Sequence, residues 1–111
     1  MPEALKPKRL IDVVPSLAAE LATLLVEAEE PELAAQIRGL EIVDRCRCGD
    51  DFCGSFYTQP KPNGSYSPDH RTLALTPDKG MLIIDVVASR IMFVEVLYRD
   101  AIRKAVNAAV P

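Results

Sequence analysis

The spacing of apolar residues changes twice along this chain, and these changes constrain its fold more than any other feature. From Leu17 to Ile37, apolar residues recur three and four positions apart, which is typical of helices. From Leu40 to Leu97 they alternate or form short continuous runs, which is typical of strands. After Arg99 the helical spacing returns. The chain is therefore predicted to contain two helices, then five strands, then one helix.

The predicted helices are bounded by residues that typically start and stop helices. Ser16 follows Pro15 and is a suitable N-cap, because its hydroxyl can accept a hydrogen bond from a free backbone N–H group. Pro31 ends the first helix and begins the second, since proline is suited to the first helical position. Gly39 is suited to end the second helix. The apolar stripe of the C-terminal helix comprises Ala101, Ile102, Ala105, Val106, Ala109 and Val110.

The first two predicted strands form a hairpin around a turn that carries three cysteines. The first strand begins at Leu40 and ends at Cys48, and the second extends from Phe52 to Thr58. Gly49-Asp50-Asp51 between them supplies typical turn residues. Pairing across this turn places Cys48 opposite Cys53, Cys46 opposite Ser55 and Asp44 opposite Tyr57.

Three further strands are predicted at residues 71–76, 81–87 and 91–97. The last two are the most apolar, so we expect them at the centre of the sheet and buried on both faces. Asp85 interrupts one of these strands. A buried carboxylate needs a partner, and we expect that partner to be Arg71 or Arg90.

Together these elements predict an α+β fold. An antiparallel β-meander of about four to five strands is expected to pack against two N-terminal helices and one C-terminal helix, in the order α-α-β-β-β-β-β-α. Residues 16–111 are predicted to form this single domain, and a chain of 111 residues can bury a core without disulfides or metals. Residues 1–15 contain three prolines and no sustained period, so we predict an extended or mobile N-terminal arm.

The charge balance and the apolar segments exclude some classes of partner. Thirteen basic and 16 acidic residues give a formal net charge of −3, which argues against nucleic acid as a partner. No apolar stretch approaches the roughly 20 residues that span a bilayer, so no membrane partner is expected. The N-terminal residues lack the apolar region of a secretory signal, so a cytoplasmic protein with free thiols is expected.

The cysteine turn is the main candidate for chemistry. Cys46, Cys48, Cys53 and the single histidine, His70, are together a possible Cys3His zinc site. The spacing Cys-x-Cys-x4-Cys differs from the paired knuckles of common zinc modules. No cofactor is expected, with zinc at these residues as the one possible exception.

Two alternatives remain open for the same cysteines. Cys46 and Cys48 share a strand face with Leu40 and Ile42, so they are also expected to fill the core as packing thiols. Cys48 and Cys53, facing each other across the hairpin, are also placed to close a disulfide in a thiol switch.

Four other residues are candidates for interaction with a partner. Arg45 and Arg47 point away from the cysteine face, and Lys61 and Tyr66 lie in the proline-rich loop Gln59–His70. We therefore expect a non-enzymatic binding or protein-interaction module, acting on an unknown protein or by self-association. A thiol-redox or zinc-binding protein is the alternative. An enzyme would require a polar pocket near Asp44, His70 and Tyr57, and no catalytic residues are assigned.

The motif Arg45-Cys46-Arg47-Cys48-Gly49-Asp50-Asp51-Phe52-Cys53 is followed by Phe56-Tyr57-Thr58, by Pro60-Lys61-Pro62 and by Glu95-Val96-Leu97-Tyr98-Arg99. This pattern resembles a group of small bacterial hypothetical proteins that share RCxCGDDFC, FYT, PKP and EVLYR segments. The resemblance covers about residues 40 to 103 and implies a bacterial, cytosolic, single-domain protein. It implies no activity, and no site residues are carried over from it.

Overall fold

The computed structural model describes residues 8–62 and 64–111 and confirms the α+β fold. The helices are α1 (Leu10–Val13), α2 (Pro15–Glu27), α3 (Pro31–Gln36) and α4 (Asp100–Ala109), with a 3-10 turn at Ile37–Gly39. The strands are β1 (Lys8–Arg9), β2 (Glu41–Ile42), β3 (Asp44–Arg45), β4 (Phe56–Tyr57), β5 (His70–Ala74), β6 (Met81–Val87) and β7 (Arg90–Leu97). Within the described ranges, no helix is long and apolar enough to cross a membrane.

The five-stranded sheet has the order β3-β4-β7-β6-β5, and every neighbouring pair is antiparallel. Strands β5, β6 and β7 follow one another as a meander. The hairpin β3–β4 departs from this pattern, because β4 pairs with β7 instead of with β5. The connection after β4 therefore leads from one side of β7 to the opposite edge of the sheet. As expected, β7 lies at the centre of the sheet and β6 lies beside it.

The core lies on one face of this sheet. Strand residues on this face are nearly inaccessible and join helix residues in one hydrophobic cluster, which includes Leu17, Leu21, Leu25, Phe56, Leu82, Ile84, Val86, Ile91, Val94, Val96, Ile102 and Val106. The alternate residues of β6 and β7 are only partly buried. The prediction that these two strands are buried on both faces is therefore wrong, because the helices cover one face alone. We call the other face the second face.

Part of the predicted N-terminal arm has a defined structure. Residues 1–7 lie outside the described residues, whereas β1 pairs with β2, with Lys8 opposite Ile42. Leu10 is fully buried, and its backbone N–H donates to the Leu40 carbonyl at 2.9 Å. This segment is ordered because α1 supplies Leu10 to the core. Helix α2 begins at Pro15, so the predicted N-cap Ser16 lies inside the helix and Val14 takes the capping position.

Helix α4 packs closely on the hairpin at Gly54. A Cβ atom added to Gly54 would lie 2.9 Å from the Cα atom of Arg103, in the first half of α4. The Gly54 backbone N–H donates to the Val96 carbonyl at 2.8 Å, so the strand cannot move away from the helix without losing this hydrogen bond. A glycine is therefore required where the cysteine hairpin, β7 and α4 meet.

We predict that Gly54→Ala destabilises the protein by about 1–3 kcal/mol, because the added methyl group meets the backbone of α4. The free energy of unfolding, measured by urea denaturation, tests this. The matched control is Gly39→Ala, where an added Cβ meets nothing within 4 Å. The control is expected to leave stability unchanged or to raise it by less than about 1 kcal/mol. Equal effects of the two substitutions would contradict the proposed close contact.

Candidate thiol site

The cysteine hairpin has the predicted register. Asp44 pairs with Tyr57 and Arg45 with Phe56. The Cys46 backbone N–H donates to the Ser55 carbonyl at 2.9 Å, so the pairing of Cys46 with Ser55 continues the same register. Beyond this point the ladder ends, and the Cys53 backbone N–H turns to the Asp50 carbonyl at 3.3 Å. The three cysteines therefore lie where the ladder opens into the turn.

The three thiols converge at this opening. The Sγ atoms of Cys46, Cys48 and Cys53 all lie within 4.8 Å of one another, and all three cysteines are free thiols. In a tetrahedral zinc site with Zn–S bonds of about 2.3 Å, neighbouring sulfurs are about 3.8 Å apart. A shift of about 1 Å therefore brings these sulfurs to metal-binding distances. We refer to the three Sγ atoms as the thiol cluster.

The thiol cluster is not a piece of the core. Cys48 is exposed, and Cys46 and Cys53 are only partly buried. The prediction that Cys46 and Cys48 pack with Leu40 and Ile42 is wrong. Strand β2 ends at Ile42 and pairs in the two-stranded sheet, whereas β3 belongs to the larger sheet. The alternation of faces therefore does not continue from one segment to the other.

His70 does not belong to the thiol cluster. It begins β5, and β5 and β3 form the two opposite edges of the sheet. Four strand spacings of about 4.8 Å separate these edges by about 19 Å. The fourth ligand of the predicted Cys3His site is therefore not supplied by His70. For the same reason Asp44 and His70 do not meet in one polar pocket.

His70 instead joins a polar group on the second face. Its Nε2 atom lies 2.8 Å from Asp85 Oδ1, and the Thr72 hydroxyl donates to the same oxygen at 2.9 Å. The prediction of an arginine partner for Asp85 is wrong. Arg71 instead pairs with Glu30, with 2.8 Å between its Nη2 atom and Glu30 Oε1. Asp85 is thus satisfied by its neighbours on β5, which the pairing of Thr72 with Asp85 brings into contact.

Two of the thiols have opposite ionisation tendencies. Burial raises the pKa of the Cys46 thiol to about 11, although a hydrogen bond from the backbone of Cys48 partly offsets this. Burial also raises the pKa of Cys53, but hydrogen bonds from the side chain and backbone of Ser55 and from the other two thiols outweigh it. The net pKa of Cys53 is lowered. Cys53 is therefore the more readily ionised of these two thiols.

Ser55 is the residue that sequence reasoning missed at this site. It is 2% exposed, its Oγ atom lies 3.3 Å from Cys53 Sγ, and the Val96 backbone N–H donates to the same Oγ at 2.9 Å. The alternative acceptor for its hydroxyl, the Val96 carbonyl, is 3.4 Å away, a longer hydrogen bond than usual. The Ser55 hydroxyl is thus positioned to donate to a Cys53 thiolate. One indication in the sequence that Ser55 lies at this site was its predicted pairing with Cys46 across the hairpin.

The two predicted interaction arginines flank Cys46 and contact other parts of the chain. Arg47 is half-exposed, and its Nη2 atom donates to Asp44 at 2.9 Å. The Arg45 Nε atom donates to the Val110 carbonyl at 2.8 Å, just after α4. Arg45 thereby fastens the end of α4 to the cysteine hairpin. Both guanidinium groups are thus held by contacts with Asp44 and with the C-terminal residues Val110 and Pro111.

The two predicted loop residues pack onto the second face. The Lys61 ammonium lies 5.7 Å from the centroid of the Tyr57 ring, and the Tyr66 ring lies 4.6 Å from the His70 ring. Burial raises the pKa of Tyr66, and the nearby Asp85 and Tyr57 raise it further. Both side chains thus contact residues of their own chain. Their role in binding a partner stays a prediction.

An exposed aromatic pair borders the thiol cluster. Phe52 precedes Cys53 in the chain, and its ring stacks on Tyr98 with 5.2 Å between centroids. The two rings are 39% and 63% exposed, and the Tyr98 backbone N–H donates to the Phe52 carbonyl at 2.9 Å. Tyr98 has φ of 61°, a conformation that side-chain-bearing residues rarely adopt. The stacked rings form an exposed aromatic surface, and Phe52 joins it to the chain one residue before Cys53.

Comparison with known proteins does not assign the chain to a family. No protein-family model matches the chain, and neither the curated proteins nor the solved structures include a match. The resemblance to small bacterial proteins therefore stays a prediction.

We predict that Ser55→Ala raises the pKa of Cys53, because it removes the hydroxyl that donates to the thiolate. The measurement is the rate of Cys53 alkylation as a function of pH, with peptide mapping to assign the modified thiol. Ser67→Ala is the control, since the Ser67 hydroxyl donates to Asp69 on the exposed loop. An alkylation profile that Ser55→Ala leaves unchanged contradicts the role assigned to Ser55.

Proposed function

We propose that this chain is a non-enzymatic metal-binding protein that holds a thiophilic divalent ion, with zinc as the reference, at Cys46, Cys48 and Cys53. The observation that carries the proposal is the mutual distance of at most 4.8 Å among the three Sγ atoms. Thiolates are the ligands that zinc prefers in structural sites. Three of them converging at one hairpin opening are a better match to metal binding than to packing, because Cys48 is exposed to solvent.

The surroundings of the thiol cluster support a bound cation. Three thiolates and one divalent ion carry one net negative charge, and the sequence places two arginines, Arg45 and Arg47, on either side of Cys46. Hydrogen bonds from the backbones of Cys48 and Ser55 favour the thiolate forms of Cys46 and Cys53. Such outer contacts orient ligands and stabilise their charge at metal sites. Three protein ligands leave a fourth position for solvent or for a ligand from a partner.

We propose that the protein acts in the reducing cytoplasm of a bacterium, where thiols remain free to bind metal. The lowered pKa of Cys53 favours thiol-disulfide chemistry as a second candidate function. A protein-interaction role stays a separate prediction, and the exposed Phe52–Tyr98 pair, which includes the residue before Cys53, is one surface for it.

We expect the reduced protein to bind one zinc ion per chain. The measurement is the metal content after loading with Zn²⁺ alone and removal of excess ion, together with competition against a chromophoric chelator. Each of Cys46→Ser, Cys48→Ser and Cys53→Ser is expected to weaken binding by more than about 100-fold, because each removes a ligand itself. Substitution with Co²⁺ is expected to produce the absorption bands of a thiolate-bound ion.

His70→Ala is the matched control for these variants, since His70 lies at the opposite edge of the sheet. It is expected to leave the zinc affinity unchanged. The proposal is overturned if the reduced protein retains no zinc, or if His70→Ala weakens binding as strongly as the cysteine variants do.

The zinc affinity is expected to rise with pH. The Cys46 thiol, with a pKa of about 11, is protonated in the metal-free protein at neutral pH, and the ion has to displace its proton. Each proton released on binding changes the apparent affinity by about tenfold per pH unit. Competition titrations between about pH 6 and pH 8 are therefore expected to show a slope of at least about one. A pH-independent affinity contradicts the participation of Cys46.

A further inference from the structure

Two of the three thiols face each other across the open end of the hairpin. The pairs Asp44–Tyr57 and Cys46–Ser55 define the register, and its extension past Arg47 and Gly54, beyond the last paired residues, brings Cys48 opposite Cys53. We propose that a hydroperoxide oxidises Cys53 and Cys48 to a disulfide that dismantles the metal site. This inference rests on the metal site proposed above and adds its regulation.

The geometry permits this disulfide. The Sγ atoms of Cys48 and Cys53 lie within 4.8 Å of each other, and a disulfide requires about 2.05 Å. Cys48 is followed by Gly49, which has φ of 83° and no neighbour within 4 Å of an added Cβ. The turn therefore has space in which Cys48 can approach Cys53.

Cys46 is less suited than Cys48 or Cys53 to take part in the disulfide. Its backbone is fixed at the end of the ladder by the hydrogen bond to Ser55. Its cross-strand neighbour is Ser55 and not a cysteine. Cys48–Cys53 is thus the favoured pair.

The roles of the two thiols follow from their surroundings. The Ser55 hydroxyl, 3.3 Å from Cys53 Sγ, is positioned to stabilise a thiolate there, so Cys53 is the attacking group. Its sulfur attacks one peroxide oxygen, the O–O bond breaks, and a sulfenic acid and an alkoxide or hydroxide ion form. The exposed Cys48 thiol then attacks the Cys53 sulfur, the S–O bond breaks, and water leaves as the S–S bond forms.

The consequence for the metal is direct. The disulfide removes two of the three ligands, and Cys46 alone does not hold the ion. A dithiol reductant reverses the step by thiol-disulfide exchange and is itself oxidised. The site therefore binds metal when reduced and releases it when oxidised.

The test is oxidation of the zinc-loaded protein with hydrogen peroxide. We expect release of one zinc ion per chain, followed with a chromophoric chelator, together with a mass loss of two hydrogen atoms. Peptide mapping is expected to find Cys48 joined to Cys53, and reduction is expected to restore zinc binding. Cys46→Ser is expected to form the same disulfide. Cys48→Ser is expected to stop at a Cys53 sulfenic acid, which a sulfenic-acid-selective reagent traps.

The outcomes separate this inference from the metal site itself. Zinc that never binds overturns the proposed function, and with it this inference, before any peroxide is added. Zinc that binds and remains bound after oxidation overturns only the inference. So does zinc release that is accompanied by a disulfide to Cys46, or by no disulfide at all.

Discussion

The pairing of β4 with the central strand β7 is the interaction on which the thiol site depends. Phe56 lies opposite Val94 and is fully buried, which fixes β4 against the core. Around it, Gly54 and Ser55 both bond to the backbone of Val96. These contacts hold Cys53 and its hydroxyl partner in place, whereas β3 has only the two-residue ladder with β4. Isolated two-stranded hairpins are marginal, so without β7 the three thiols have no fixed arrangement.

Helix α4 completes the support from the other side. Its first half contacts Gly54 so closely that no side chain fits between them, and Arg45 reaches the carbonyl of Val110 just beyond its end. Both strands of the hairpin are therefore attached to the same helix. Cys46 follows Arg45 and Cys53 precedes Gly54, so each anchor lies next to a thiol. The position of the thiol cluster is thus set by the core and by α4, although Cys48 itself lies in solvent.

Local patterns in the sequence correctly predicted those parts of the fold that depend on interactions between residues close together in the chain. Helical spacing placed α2 and α4, and the turn residues after Cys48 gave the register in which Asp44 meets Tyr57. The contact of His70 with Asp85 was missed because the predicted strand began at residue 71 and left His70 in the preceding loop, although the short connection between β5 and β6 sets their register. The burial of Leu10 was missed because its partner, the Leu40 carbonyl, is far away in the chain.

The exposure of Cys48 was missed for a different reason. A period of two predicts one face for a whole strand, but the chain changes sheets between Ile42 and Asp44. Alternation is reliable only within one continuous ladder. The convergence of the thiols was consistent with the predicted hairpin, whereas the role of Ser55 required the backbone of Val96, a residue 41 positions away.

That long separation also bears on biosynthesis. Residues 46–55 leave the ribosome well before β7, which supplies the backbone groups that hold Gly54 and Ser55. During this interval the cysteines are present in the nascent chain without the arrangement that distinguishes Cys53 from its neighbours. Contacts between distant segments form late, because a long loop has to be closed first. Selective chemistry at this hairpin is therefore a property that the polypeptide acquires only when its central strand has been synthesised.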